Sequence, residues 1–547
     1  MKCRKCNKLD LVFEQDPIIP YPPPPANLLL SHALLKEIEE EKRKSSIEAI
    51  KLRLSQVDER AAYLDTLFLE LKKEQDRCTE ERRSLADSMR LYESVSAPIK
   101  RASDDALIEI FTAYTAANPH TRNHLPAPMV LAGVCRRWRD VCTNTHSLWP
   151  SVSIHLNHDS SRYEAKASIF QIFASRAGTS PLQVVISDNL NYAESDLSRN
   201  IDTAGLQLLI NEMAVSAGRW HTFNAKCSWA LLERIWEEIC QAQLNKPLSM
   251  LQRLDVRCAN YASRFMLLYA PLDLSSMTPS LRHARLGPGT TDLLLPWKAL
   301  ESWGGVLASP KDFINVLTKC PNLSQCTSLK FWQDRPLIAA ATPLHHQRLH
   351  TLAVSFKRSL YNFDYFFSSL ALPALVDLRI HAEHSVVWLN GDFARFLHRS
   401  SCTLQRLALD LGPRFSHTSL LKILTLVPSL TEFELVERRV ASEALAFNRA
   451  VLQALTRGAA APLLPNLQTL SLVGHFARDL PAALSAMLRS RAQPPSALRA
   501  LFLEPHPAGF SVGPFDVLDA AGAHAVRAAL ADTALRVVVC DAGPEQD

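Results

Sequence analysis

Leu375-Val376-Asp377-Leu378-Arg379-Ile380, Leu404-Gln405-Arg406-Leu407-Ala408-Leu409 and Leu430-Thr431-Glu432-Phe433-Glu434-Leu435 repeat one short pattern, L-x-x-L-x-L. The pattern also begins at Leu251, Leu281, Leu349, Leu467 and Leu498, with a degenerate copy at Leu323. From Leu349 onward, neighbouring starts lie 26, 29, 26, 37 and 31 residues apart. Alternating apolar residues within each copy predict a short strand with one buried face. The interval between copies is long enough for a helix, as at Ser419-Leu420-Leu421-Lys422-Ile423-Leu424. Proline often stands just before the strand, at Pro321, Pro373, Pro428 and Pro465, and ends one helix before the next strand begins.

A single copy cannot bury its own apolar face, so the copies must stack. The repeat period is that of leucine-rich repeats with irregular spacing. The predicted fold class is therefore α/β, with residues 151–547 forming an irregular leucine-rich-repeat solenoid whose parallel sheet lies on the concave side. Two divergent early units extend it upstream: a helix at Ile169–Ala174 followed by a turn and a strand at Pro181–Ile186, and a helix at Leu208–Arg219 followed by Trp220. A helix near Val517–Leu530 and a strand at Leu535–Val539 read as the closing cap.

The segment ahead of the repeats has a different composition. Residues 1–27 read as a disordered, Pro-rich N-terminus, with Pro20-Tyr21-Pro22-Pro23-Pro24-Pro25 in polyproline II. Residues 28–95 read as a long helix. From Ile47 to Tyr92 one register alternates spacings of three and four: Ile47, Ile50, Leu54, Val57, Ala61, Leu64, Phe68, Leu71, Gln75, Cys78, Arg82, Leu85, Met89, Tyr92. That is a heptad seam of coiled-coil type, weakened at Gln75 and Arg82. A single apolar stripe needs a partner. Either a second copy covers it, giving a homodimer through 47–71, or it packs on the chain's own later domain.

Between these regions stands a stretch at 97–150. It contains Pro98-Ile99-Lys100-Arg101, Asp104-Asp105-Ala106-Leu107-Ile108-Glu109-Ile110-Phe111 and Leu131-Ala132-Gly133-Val134-Cys135-Arg136-Arg137-Trp138-Arg139-Asp140-Val141, and closes at Ser147-Leu148-Trp149. Asp104 and Asp105 favour the positive end of a helix, and Asn118-Pro119 stops it. A second helix is predicted after Pro126-Ala127-Pro128, carrying Val130, Leu131, Val134, Cys135, Trp138 and Val141, with Cys135 as a packing residue. Two short helices with broad apolar faces in about fifty residues make a core too small to be comfortable alone, so a partner surface is expected.

This stretch resembles an F-box, the small all-α module that docks on the Skp-family adaptor of cullin-RING ubiquitin ligases. Together with the helix and the repeats, the chain resembles fungal F-box domain-containing proteins with a heptad helix in front and leucine-rich repeats behind. It departs from the family at Ala102-Ser103, where Leu-Pro is usual. The resemblance implies that Leu107, Ile108, Ile110, Phe111, Val134 and Trp138 face the adaptor, which in turn binds cullin. It also implies that the repeats bind an unknown target protein.

On the concave face, the exposed strand positions hold Arg253, Asp255, Arg257, His283 and Arg285 early, Arg379 and Arg406 in the middle, and Glu432 and Glu434 later. The arginines and His283 are the candidate target-binding residues, suited to an acidic or phosphorylated segment because guanidinium forks match phosphate. A plain solvated face is the alternative.

Signals for other functions are weak. The net charge of +5 over 547 residues argues for no nucleic-acid partner. No apolar run reaches the roughly 18 residues of a membrane span. The 12 cysteines are scattered, which points to reduced thiols and a cytoplasmic or nuclear location. Phosphate loops and hydrolase or zinc-protease motifs are missing. Cys3-x-x-Cys6 lacks a second ligand pair. His346 and His350 read as surface residues. No cofactor or metal is expected, and no catalysis. The expected function is substrate recognition within an SCF-type ubiquitin ligase. The alternative is a coiled-coil and leucine-rich-repeat scaffold that acts without a ligase.

Overall fold

A computed structural model describes residues 22–23, 37–95, 97–118, 125–156, 162–188, 203–244, 246–259, 272–287, 293–331, 342–356, 360–382, 390–410, 415–437, 446–458, 463–474, 480–492, 498–505, 524, 526–528, 530–531, 533 and 535–539. Most of the Pro-rich N-terminus, Cys3 and Cys6, and most of the helix expected near Val517–Leu530 lie outside these residues. The chain divides into two units, Met1–Ser103 and Asp104–Asp547.

The first unit is dominated by helix α1 (Glu37–Val95), 59 residues without a glycine or proline. At ~1.5 Å per residue it is about 90 Å long. Glu40 pairs with Arg43 at 2.6 Å, one turn apart. Pro98 ends it: the residue before a proline is driven out of the helical region, and Ala97 sits at φ −52°, ψ 131°. A single turn, α2 (Pro98–Arg101), follows.

The second unit opens with three short helices, α3 (Asp104–Ala117), α4 (Ala127–Val134) and α5 (Arg136–Asn144). Strands β1 (Ser151–Leu156), β2 (Leu182–Asp188), β3 (Trp220–Ser228), β4 (Arg253–Ala259), β5 (His283–Leu286), β6 (Ser302–Leu307) and β7 (Gln325–Phe331) come next. Then come β8 (Leu344–His345), β9 (Thr351–Phe356), β10 (Leu370–Ala371), β11 (Asp377–Ala382), β12 (Arg406–Asp410), β13 (Glu432–Glu437), β14 (Thr469–Gly474), β15 (Ala500–Pro505) and β16 (Arg536–Val539). Apart from β8 and β10, which pair with each other, all of them join one 14-stranded sheet in chain order. Every pairing in it is parallel, from Ser151 opposite Gln183 to Leu503 opposite Val539. Parallel neighbours need a crossover, and helices such as Pro310–Lys319 and His417–Leu426 supply it.

The repeat leucines do the work expected of them. Leu349, Leu375, Leu430, Leu352, Leu378 and Leu407 are fully buried, and β11 to β13 alternate between a covered and an open face. Burying each such side chain contributes about 1.5–3 kcal/mol. Besides the short pair β8 and β10, two strands of the long sheet escaped the sequence reading. β1 buries Val152, Ile154 and Leu156 without a leading leucine. In β6, Trp303 occupies the place of the second leucine, and Gly305 follows where the third should stand. That glycine is required: a Cβ on Gly305 would lie 2.8 Å from both the Leu286 carbonyl oxygen and the Trp303 ring.

Phenylalanines fill the centre of the second unit. Phe367 lies 4.7 Å from Phe363, 5.2 Å from Phe366 and 5.1 Å from Phe396 between ring centroids. Arginines at helix ends then tie successive helices together. Arg219 donates to the Ala174 carbonyl at the end of the preceding helix. Arg399 donates to the carbonyls of Phe367 and Leu370. Arg491, buried at 2% exposure, donates to those of Leu455, Leu463 and Leu464. In each case at least one acceptor, Ala174, Phe367 or Leu455, lies in the last turn of a helix, where carbonyls lack intrahelical donors.

Candidate functional site

The three-helix module is built around Leu107 and Phe111. Both are fully buried, and Trp138 tilts against Phe111 with 4.8 Å between ring centroids. The single helix expected after Pro126-Ala127-Pro128 begins earlier, at Ala127, and is two helices. Cys135 breaks it in extended conformation (φ −158°, ψ 172°), and its Sγ accepts the Trp138 backbone N–H at 3.5 Å. Cys135 is thus an exposed helix cap rather than a packing residue. The apolar spacing runs through the break without interruption, which is why the sequence concealed it. Arg137 closes on Asp104 at 2.7 Å and Arg139 on the Ala132 carbonyl at 3.1 Å.

Of the six residues expected to meet an adaptor, two have no surface to offer: Leu107 and Phe111 hold the module together. Ile108 and Trp138 are half-buried. Ile110 is 45% exposed and Val134 57% exposed. Tyr114, and Val130, which the sequence reading put on the second helix but not among the adaptor-facing residues, are also exposed. Ile110 and Tyr114 stand four residues apart on α3, and Val130 and Val134 four apart on α4. Each pair therefore shares a helix face. The signal for them was their i, i+4 spacing.

Trp149 joins this module to the sheet. It is fully buried, and its indole N–H donates to the Cys142 carbonyl at the end of α5 at 2.7 Å. Its ring meets Phe173 edge-on at 5.0 Å, and the Arg176 guanidinium lies over it at 4.5 Å. His146 Nδ1 lies 2.6 Å from the Arg176 carbonyl oxygen. One aromatic side chain therefore touches the last module helix and the first helix of the sheet region.

The open face of the sheet carries the other candidate residues, in two groups. Register sets Arg253 opposite His283 and Asp255 opposite Arg285. Arg257 pairs with Asp255 at 2.8 Å. Arg253 is exposed, with no ion-pair partner among the described residues. Burial and the Arg253 charge push the pKa of His283 down. Arg285 lies across from Gly304, which has no side chain, and reaches over it to Ser328 Oγ at 3.4 Å.

The second group lies beyond β6, β7 and β9. Arg379 pairs with Asp377 at 3.1 Å, and Arg406 with Glu432 at 2.5 Å and Asp377 at 3.5 Å. Sequence reading missed Lys226, opposite Arg257, and the contact of His381 Nδ1 with Asp410 Oδ2 at 2.5 Å. The small side chains of Ala353 and Ala408 flank Arg379 in register. They open a groove of about 390 Å³, lined by Ser328, Lys330, Arg379, His381, Asp410 and Glu434. The expected run from basic to acidic is present in this form: cations dominate β3–β5, whereas acids outnumber cations on β11–β13 and hold the arginines there in pairs.

Other chemistry-bearing residues are accounted for by packing. His346 is buried rather than on the surface, with Nε2 3.0 Å from the Cys320 carbonyl oxygen. Burial pushes the thiol pKa of Cys142 up to about 11 and that of Cys320 up to about 12, so neither is a ready nucleophile. Among the described residues, no three His, Cys, Asp or Glu side chains gather to hold a metal, and no helix is long and apolar enough to cross a membrane. No model of a known protein family matches the chain, and no curated protein matches it either.

Proposed function

We propose that the chain is a non-catalytic substrate-recognition subunit of an SCF-type ubiquitin ligase. In this reading the helices α3–α5 are an F-box that docks a Skp-family adaptor, and through it cullin. The sheet and its helices are a leucine-rich-repeat solenoid whose concave face binds the target. The observation that carries the proposal is the pair of outward apolar faces on α3 and α4, fixed to the sheet through buried Trp149. A substrate receptor needs such a fixed connection, because ubiquitin transfer gains its rate from holding a target lysine near the charged enzyme. The basic strands β3–β5, with Lys226, Arg253 and Arg285, suit an acidic or phosphorylated segment of the target.

Co-expression of the full chain with a Skp-family adaptor, followed by size-exclusion chromatography, tests the proposal. The control is Ile110→Asp with Val134→Asp, both at exposed positions, with its fold checked by circular dichroism. Co-elution of the native chain and not the control is the expected result. Failure of the folded native chain to bind refutes it and favours the scaffold reading, to which the exposed seam of α1 also lends itself.

A further inference from the structure

The seam of α1 is unbroken from Ile47 to Leu71, eight positions alternating three and four apart. Seven of the eight side chains are exposed, Leu54 at 55% and Phe68 at 68%, and Ile50 is half-buried. We infer that α1 is a dimerisation helix, paired in parallel and in register with α1 of a second copy of the chain along Ile47–Leu71.

Strict heptad spacing is what a facing helix requires, and a sheet surface imposes no such repeat. Among the described residues, no other helix exceeds 14 residues, so none within the chain matches the seam in length. The flanking charges complete the argument. Arg53 and Arg60 stand just before seam residues Leu54 and Ala61, and Asp58 and Asp65 just after Val57 and Leu64. In a parallel pair, Arg53 meets Asp58 of the second copy and Arg60 meets Asp65 of the second copy. Two-fold symmetry makes each contact twice.

Within their own helix these four residues form no ion pair among the described residues. The ion pairs of α1 lie toward its ends, at Arg43–Glu40, Lys44–Glu40 and Arg90–Asp87. An antiparallel arrangement can also match charges, with Arg60 facing Glu74 and Arg53 facing Glu81. That register, however, sets Gln75 against Val57 and Arg82 against Ile50. The parallel register keeps all eight apolar layers together, and it places the exposed Cys78 of one copy opposite Cys78 of the other.

The full chain is tested by light scattering coupled to size-exclusion chromatography. The native protein is expected at twice the chain mass, and Leu64→Asp with Phe68→Asp at the chain mass. Both changes sit on an exposed helix face. Arg60→Glu is expected to weaken the dimer about tenfold, and adding Asp65→Arg to restore it. Oxidised glutathione is expected to link the two Cys78 thiols, which lose two electrons and two protons while glutathione disulfide becomes two thiols. Cys78→Ser blocks the link. A monomeric native chain, or a dimer indifferent to Leu64→Asp with Phe68→Asp, overturns the inference. A seam-dependent dimer without the Cys78 link overturns the parallel register. Because the variants leave α3 and α4 intact, adaptor binding measured on the same proteins separates failure of the dimer from failure of the ligase reading.

Discussion

Trp149→Ala should loosen the junction between the helical module and the sheet far more than it loosens the rest of the protein. The native side chain is fully buried, with its indole N–H 2.7 Å from the Cys142 carbonyl oxygen and the Arg176 guanidinium 4.5 Å from its ring. Truncating a buried tryptophan to alanine costs about 3–5 kcal/mol, cavity included. Within that sum the cation–π contact accounts for about 0.5–2 kcal/mol. The hydrogen bond accounts for about 1 kcal/mol, and more if the Cys142 carbonyl is left dry. Trp149→Phe keeps most of the apolar volume and loses the donor, so its cost is about 1–2 kcal/mol.

Amide hydrogen exchange resolves where the loss falls, because local opening is read segment by segment. Protection in α5 and β1 should drop in the order native, Trp149→Phe, Trp149→Ala, while β12 and β13 keep theirs. Equal loss of protection in β12 and β13 would refute the junction argument, since Trp149 would then hold up the whole sheet. Equal behaviour of the Phe and Ala variants would refute the ranking of volume above hydrogen bond.

Two further changes probe the core. Asp364 titrates at about 6, because burial and the neighbouring Asp392 carboxylate both disfavour its charge. A carboxyl raised in the folded state stabilises fully below its unfolded pKa near 4, and that contribution is lost as pH rises through about 6. Asp364→Asn should therefore raise stability by about 1–2 kcal/mol near pH 7.5, after allowance for partial solvent screening, and change little near pH 4. Urea titrations at the two pH values measure it, and an equal effect at both rejects the assignment. Arg491→Met takes the guanidinium from the carbonyls of Leu455, Leu463 and Leu464, only the last of which keeps another donor, the Leu467 N–H, and should cost about 3 kcal/mol. Arg491→Lys should recover only part of this, because an ammonium cannot fork across three acceptors; full recovery in thermal melts counts against the geometry.

Where leucine stands at all three positions of the repeat, as at Leu404-Leu407-Leu409, the strand and its buried face could be read directly from the chain. The reading failed where another side chain fills the same volume. Trp303 packs where a leucine would, and Gly305 is small because the neighbouring backbone and the Trp303 ring leave no room. Burial selects for fit, and several residue types fit.

The helix break at Cys135 was hidden for a different reason. The apolar stripe stays in phase across it, and a thiol is a rare cap. On the open face, Asp255 and Glu432 were named beside the arginines but not paired with them, and Asp377, which pairs with Arg379 and Arg406, was overlooked. Asp255-x-Arg257 and Asp377-x-Arg379 put acid and base on the same side of one strand, a period-two signal available from the sequence. The ties made by Arg219, Arg399 and Arg491 could not have been read at all, because their acceptors are backbone carbonyls, which leave no mark in a sequence.

That same property bears on how such a chain tolerates change. A guanidinium that grips main-chain oxygens asks nothing of the side chains it joins, and it stays charged far above neutral pH. Loops between strands can lengthen and the open strand faces can change, while one arginine near a helix end keeps neighbouring turns of the chain in step. The repeats are thus coupled by their backbones and left free to diverge in their surfaces.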